Sequence, residues 1–247
     1  MAFLFAPGDR PGLAQVKRMA TGGAFQVSHE SDGVNADAGQ GQPGWAELLA
    51  DGLTYDLVGL APGTGVGMMD GAQRFGLREE QGLLDCEAIE LRPGPHIVDG
   101  IGLPPVYRSL MAVGRALAGL DGVVAVGWGG ANTLMAPAYF TRIVGEWLAG
   151  GVFPALGLTA MVGEVDGGLQ TRGLAMLTGH ELRVEPSVAE DAKARAHVAV
   201  RLVDELVRQG VFVPEDGRRE IGEHVLDLRL SRNGRFIRAF PASTEAE

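Results

Sequence analysis

A single cysteine, Cys86, stands in the chain, so no internal disulfide is available. It lies in an apolar, strand-like run, where a free thiol behaves as a small buried hydrophobe, and so little cysteine fits a reducing, cytoplasmic setting. No apolar run approaches the roughly 20 residues of a membrane span. The start, MAFLFAPGDR, lacks the basic n-region of a secretory signal. Catalytic signatures are missing too: the five histidines show no HExxH or other metal spacing, and there is no GxSxG and no paired CxxC. Basic residues are in deficit, with 21 Lys and Arg against 31 Asp and Glu, a formal charge of −10. A general nucleic-acid binder presents the opposite, a net basic footprint. These absences predict a chain with no metal or cofactor that engages neither nucleic acid nor membrane.

What the chain has in excess is glycine, 38 residues of 247, within an otherwise ordinary 46% hydrophobic and 21% charged composition. That predicts many turns and close backbone approaches. The segment around which the chain is organised runs from 122 to 162. GVVAVGW reads as a buried strand, and GGANTLMA turns the chain. Pro137 then opens a helix whose Phe140, Ile143, Val144, Trp147 and Leu148 make one apolar stripe, and VFPALGLTAMV reads as a second strand.

Before that block, FLFA is a short strand, residues 13–20 a helix, AFQVSHE an alternating strand, 45–49 a short helical turn, and TYDLVGLAP and LLDCEAIEL are strands. Pro104 and Pro105 precede a helix with Val106, Leu110, Val113 and Leu117 on its core face. Residues 31–44, SDGVNADAGQGQPG, read as a flexible loop, with a ligand-covering flap as the alternative. After the block come two β segments around Gly179, the first over 169–177. A long helix then runs from Val188 to about Arg208, with His197 on its solvent side. EHVLDLRLSRNGRFIRAF is a hairpin, for which Asn233-Gly234 suits a type I′ turn, and 241–247 is a polar tail that frays. With no repeat and no clean linker, the expectation is a single α+β domain over 1–247, with a mixed, largely antiparallel sheet and packed helices.

Two places in this sequence invite chemistry. Residues 127–132, GWGGAN, follow the buried strand where an open α/β sheet tends to hold anionic ligands on free helix N–H groups. This makes Gly127, Trp128, Gly130 and Asn132 candidate ligand-binding residues, although the glycine spacing fits no nucleotide loop, and neither does GTGVGMMDG upstream. His180, on the apolar face of its strand between acidic neighbours, joins them, with a buried structural histidine as the alternative. Glu181 and Glu185 lie about 13 Å apart along a strand, too far for a glycosidase pair. The hairpin carries the second signal. With Asn233-Gly234 as the turn, Arg232 faces Arg235 and Arg229 faces Arg238, and like charges directly opposite are destabilising. Acidic residues of the chain supply the compensation in one reading; in the other, these four arginines are a partner-binding set for an anionic surface.

GVVAVGW, APAYFTRIVGEW and LGLTAMVGEVDGGLQTRGLAMLTGHELRVEP together resemble bacterial proteins carrying domain of unknown function 4261. The matching positions are Trp128, Pro137, Thr171, Gly173, Leu174, Gly179, Glu181, Leu182 and Val184, within about 110–214, and His180 departs from the pattern. The resemblance implies a bacterial, cytoplasmic protein with one co-folded domain and brings no catalytic residues. The functional expectation is a non-enzymatic interaction or accessory (immunity-like) protein, partnered by another bacterial protein or by itself. The alternative is a small-molecule binding protein or enzyme using the 127–132 turn, with 31–44 as a lid.

Overall fold

The short run FLFA lies in the middle of a sheet. In a computed structural model, which describes residues 1–31, 44–67, 73–78, 82–83, 85–210, 212 and 217–242, it forms β1 (Ala2–Phe5). Two compact units are present, Met1–Gly151 and Val152–Glu247. The sequence offered no linker between them, and the boundary follows the glycine pair Gly150-Gly151.

The first unit continues with α1 (Leu13–Ala20), β2 (Gln26–Ser31), β3 (Gly44–Ala50), β4 (Leu53–Leu60), β5 (Gln73–Phe75) and β6 (Glu87–Pro93). It ends with α2 (Pro104–Leu117), β7 (Val123–Trp128), β8 (Thr133–Met135) and α3 (Pro137–Leu148). The eight strands form one sheet in the order β2-β3-β4-β6-β1-β7-β8-β5, antiparallel except where β5 runs parallel to β8. In β1, Phe3, Leu4 and Phe5 are all fully buried, so both faces of the sheet's centre are covered. Leu4 packs with Leu83, Ala125 and Leu134, and the half-buried Cys86 borders that cluster. Burial pushes the Cys86 thiol up, away from reactivity.

Residues 45–49 are not a helical turn. They belong to β3, where Ala46, Leu48 and Ala50 are buried in alternation, because pairing on both sides, with β2 and β4, outweighs the helical preference of Ala, Glu and Leu. The flexible loop expected over 31–44 begins and ends on strand residues, Ser31 in β2 and Gly44 in β3; 32–43 lie outside the described residues.

The second unit comprises α4 (Ala155–Leu158), β9 (Ala160–Gly163), β10 (Leu169–Arg172), α5 (Ala175–Thr178) and β11 (Glu181–Val184), then α6 (Ala192–Gln209), β12 (Arg218–Ile221), β13 (His224–Leu230) and β14 (Phe236–Pro241). Its sheet runs β12-β13-β14-β11-β10-β9, with only the β11–β14 pair parallel. The buried stripe of α6, Val198, Ala199, Leu202, Val203 and Leu206, packs on one sheet face. The chain is thus α+β, as expected, with two sheets.

Several local expectations fail in this unit, among them the start of the long helix, which lies at Ala192 behind an Asp191 cap and not at Val188. The run VFPALGLTAMV is a strand only from Ala160, since Pro154 and the positive φ of Gly157 break the extended chain before it. The strand over 169–177 stops at Arg172. Beyond it the Glu181 carboxylate accepts the N–H groups of Gly173 (2.8 Å), Leu174 (3.2 Å) and Ala175 (3.3 Å) and the Thr171 hydroxyl (2.6 Å), which turns the chain into α5. The polar tail does not fray from its start. Pro241 closes β14, the Ala242 N–H bonds the Val225 carbonyl at 2.8 Å, and 243–247 lie outside the described residues. Among the described residues no helix is long and apolar enough to cross a membrane.

Candidate functional site

The 127–132 segment in the first unit is a hairpin end. β7 and β8 are antiparallel, with Trp128 opposite Thr133, and 129–132 join them through an Asn132 N–H bond to the Gly129 carbonyl at 3.3 Å. Asn132 takes the left-handed conformation, φ 55°, that closes such a turn. The expected strand–turn–helix junction is therefore absent: α3 begins only at Pro137, after β8, so its free N–H groups do not face this turn. The glycines serve packing. Trp128 is 5% exposed and its indole lies on Gly130, where an added Cβ would stand 2.9 Å from Nε1. The same ring meets Tyr107 edge-on at 5.8 Å, so Trp128 is a core residue between the turn and α2. Upstream, the glycine-rich segment is held at its first residue, Gly63. The Arg10 guanidinium, 8% exposed, binds the carbonyls of Gly59 and Gly63 and the Glu87 carboxylate at 2.9 Å.

His180 belongs to the second unit. It sits just before β11, and its Nδ1–H donates a hydrogen bond to the Gly234 carbonyl at 2.6 Å. The structure therefore groups His180 with the arginine hairpin.

In that hairpin the expected register holds: Arg229 pairs with Arg238 and Leu230 with Ile237. The turn itself differs. Gly234 has φ 67°, but Asn233 does not share the positive φ that a type I′ turn needs at both central residues. The Asn233 carboxamide oxygen accepts the Ser231 hydroxyl at 2.8 Å and the Arg235 N–H at 3.1 Å, and the Gly234 N–H bonds the Ser231 carbonyl at 2.9 Å. A four-residue turn over 232–235 results, so Arg232 and Arg235 are turn residues and not a cross-strand pair.

Parallel pairing of β11 with β14 adds a third arginine. Arg183 lies opposite Arg238, so Arg229, Arg238 and Arg183 form one row across three strands. Acids of the chain offset the row: Glu185 Oε1 is 2.7 Å from Arg238 Nε and 3.0 Å from Arg183 Nε, Asp166 binds Arg183, and Asp227 is 3.4 Å from Arg229. The Gly168 N–H and the Arg183 guanidinium hold the Asp166 carboxyl below its usual range. Phe240 receives two guanidinium groups, those of Arg238 at 5.0 Å and Arg229 at 5.6 Å. Arg183, Glu185 and Phe240 were not among the sequence candidates. Alternation along HELRVEP puts Arg183 on the polar face, but nothing local announces a parallel partner 55 residues away.

Arg232 and Arg235 remain. Both are exposed, Arg235 lies over the Phe236 ring at 5.7 Å, and neither meets an acid among the described residues. Charge compensation thus accounts for Arg229 and Arg238 and leaves the two turn arginines available. Among the described residues no three His, Cys, Asp or Glu side chains gather as a metal site. His29 and Glu30 pair with Glu47 and Lys17. Comparison with protein-family models, with curated proteins and with solved structures returns no match.

Proposed function

We propose that the chain is a non-enzymatic interaction protein that binds an acidic segment of a partner protein, with the β13–β14 turn of its second unit as the contact. The observation that carries this reading is the pair of exposed turn arginines, Arg232 and Arg235, which meet no acid among the described residues of a chain of charge −10. They lie in the turn that joins the two strands whose Arg229 and Arg238 are already held by acids and by Phe240. A fixed guanidinium row gives the turn a rigid base, and arginine forks match carboxylates in a bidentate way. His180 adds to the reading as a brace beneath the turn. Membership of the bacterial family carrying domain of unknown function 4261 belongs to the same proposal, as does a cytoplasmic setting, and neither assigns a catalytic residue.

The test is quantitative capture from the host with the full chain, followed by cross-linking. Wild type should enrich a protein whose acidic stretch cross-links to the 229–238 segment, and Arg232→Glu/Arg235→Glu should lose it while keeping the same thermal unfolding. Undiminished enrichment by the charge-reversed variant, or cross-links confined to other surfaces, would overturn the proposal.

A further inference from the structure

Apart from the arginine row, the second unit holds a polar pocket between α6 and the turn joining β12 to β13. Its volume is about 290 Å³, and it is lined by His197 and Arg201 from α6 and by Glu223 and His224 from the hairpin, over a floor of Val198 and Ile221. His197 and Arg201 are four residues apart on one helix and so project from one face. The hairpin comes to them because Ile221 pairs with His224 across a two-residue turn, with Gly222 at φ 64° in its first position, the type II′ requirement. Gly222 also brings the turn close to Arg201: an added Cβ there would lie 2.7 Å from a terminal nitrogen of the guanidinium. The guanidinium rests against bare backbone.

We infer that this pocket binds a small oxyanion, a phosphate or carboxylate group, through Arg201, His197 and His224. The other arginines of α6 are engaged: Arg195 donates to the Ala189 carbonyl at 2.5 Å, and Arg208 pairs with Asp204 at 2.8 Å. Arg201 meets no acid among the described residues. The single acid of the lining, Glu223, has a side chain 91% exposed and lies 4.0 Å from His224 Nε2, at the rim and not at the guanidinium. Two imidazoles and a guanidinium offer N–H donors in excess of acceptors, which suits an oxyanion. The pocket holds the volume of about ten waters at roughly 30 Å³ each, room for a phosphate with its hydration or a small phosphorylated or carboxylated molecule. It stands at the bottom of the roughly 300–1,000 Å³ range of ligand sites. This inference is independent of the partner-binding proposal, since it uses none of the hairpin arginines.

The experiment is a titration of the full chain with inorganic phosphate and, separately, with succinate, following the side-chain nitrogen signals of His197 and His224 by NMR with sodium chloride as the ionic-strength control. Saturable shifts of both imidazoles are expected with one or both anions, and which anion binds more tightly separates a phosphate site from a carboxylate site. Arg201→Gln should weaken binding about tenfold or more, and Glu223→Gln, which removes the opposing charge, should strengthen it a few-fold. Shifts that only follow ionic strength, or binding unchanged in Arg201→Gln, would overturn the inference.

Discussion

Tyr107→Phe is expected to stabilise the first unit. Tyr107 is 1% exposed in α2, its ring edge-on to Trp128 and to Trp147 at 5.8 Å each, and its hydroxyl has no hydrogen-bond partner among the described residues. Burial pushes its phenol far up, so the group is a neutral hydroxyl at every practical pH. An unpaired buried hydroxyl costs about 1–3 kcal/mol in lost hydration, and deleting it leaves a one-atom gap whose lost contacts take back about 1 kcal/mol. The net expectation is a gain of about 1 kcal/mol. Tyr55 is the internal control. It is equally buried, but its hydroxyl donates to the Val106 carbonyl at 3.2 Å, so Tyr55→Phe should lose about 1 kcal/mol. One chemical change thus has opposite signs at two sites, each worth about 2–4 °C in Tm. The three tryptophans, Trp45, Trp128 and Trp147, all lie in Met1–Gly151, so fluorescence-detected urea unfolding reports on this unit selectively. If Tyr107→Phe destabilises as much as Tyr55→Phe, the hydroxyl has a partner, such as a trapped water, and the reasoning is wrong.

Other outcomes follow from the same inventory. The Arg10 side chain and the Gly8 N–H hold the Glu87 carboxyl below its usual range. A group with its folded pKa depressed contributes stability above the unfolded value, about 4.3, and loses it as pH falls through the folded pKa. Wild type should therefore exceed Glu87→Gln in stability at neutral pH, with the gap closing in acid; a gap independent of pH would refute the ion-pair assignment. Glu181→Ala strips one acceptor from three backbone N–H groups and the Thr171 hydroxyl. It should destabilise the second unit by about 2–4 kcal/mol, and hydrogen exchange should quicken at Gly173, Leu174 and Ala175 before elsewhere.

Helices were the legible part of this chain. The bounds of α1, the proline-led start of α3 and the exposed side of His197 were readable, because a 3.6-residue stripe and a first-turn proline are local signals. Strands were less so. In β3 the buried positions are Ala46, Leu48 and Ala50, and alanine makes a faint mark in a period-two pattern. The strand β8 was missed because three residues carry no period of their own, and with it went the strand–turn–helix reading of 127–132. The II′ turn at Gly222-Glu223 was in principle readable, as a glycine between two polar-apolar runs, and it is the turn that builds the anion pocket.

The arginine hairpin shows where local reading stops. Four arginines in ten residues look equivalent in sequence, and the antiparallel register alone would set them as two repelling pairs. Three long-range facts separate them. Glu185 arrives on the parallel strand β11 and binds Arg238 and Arg183 together. Phe240, two residues along β14, stacks on Arg229 and Arg238. Asn233 folds the loop into a four-residue turn, which lifts Arg232 and Arg235 out of the ladder. Charge reversal at Arg238 would therefore leave Glu185 facing a second carboxylate and disturb the sheet, whereas reversal at Arg232 and Arg235 changes an exposed turn alone. That difference makes the turn pair the informative test of partner binding: a loss of capture there cannot be ascribed to the ladder.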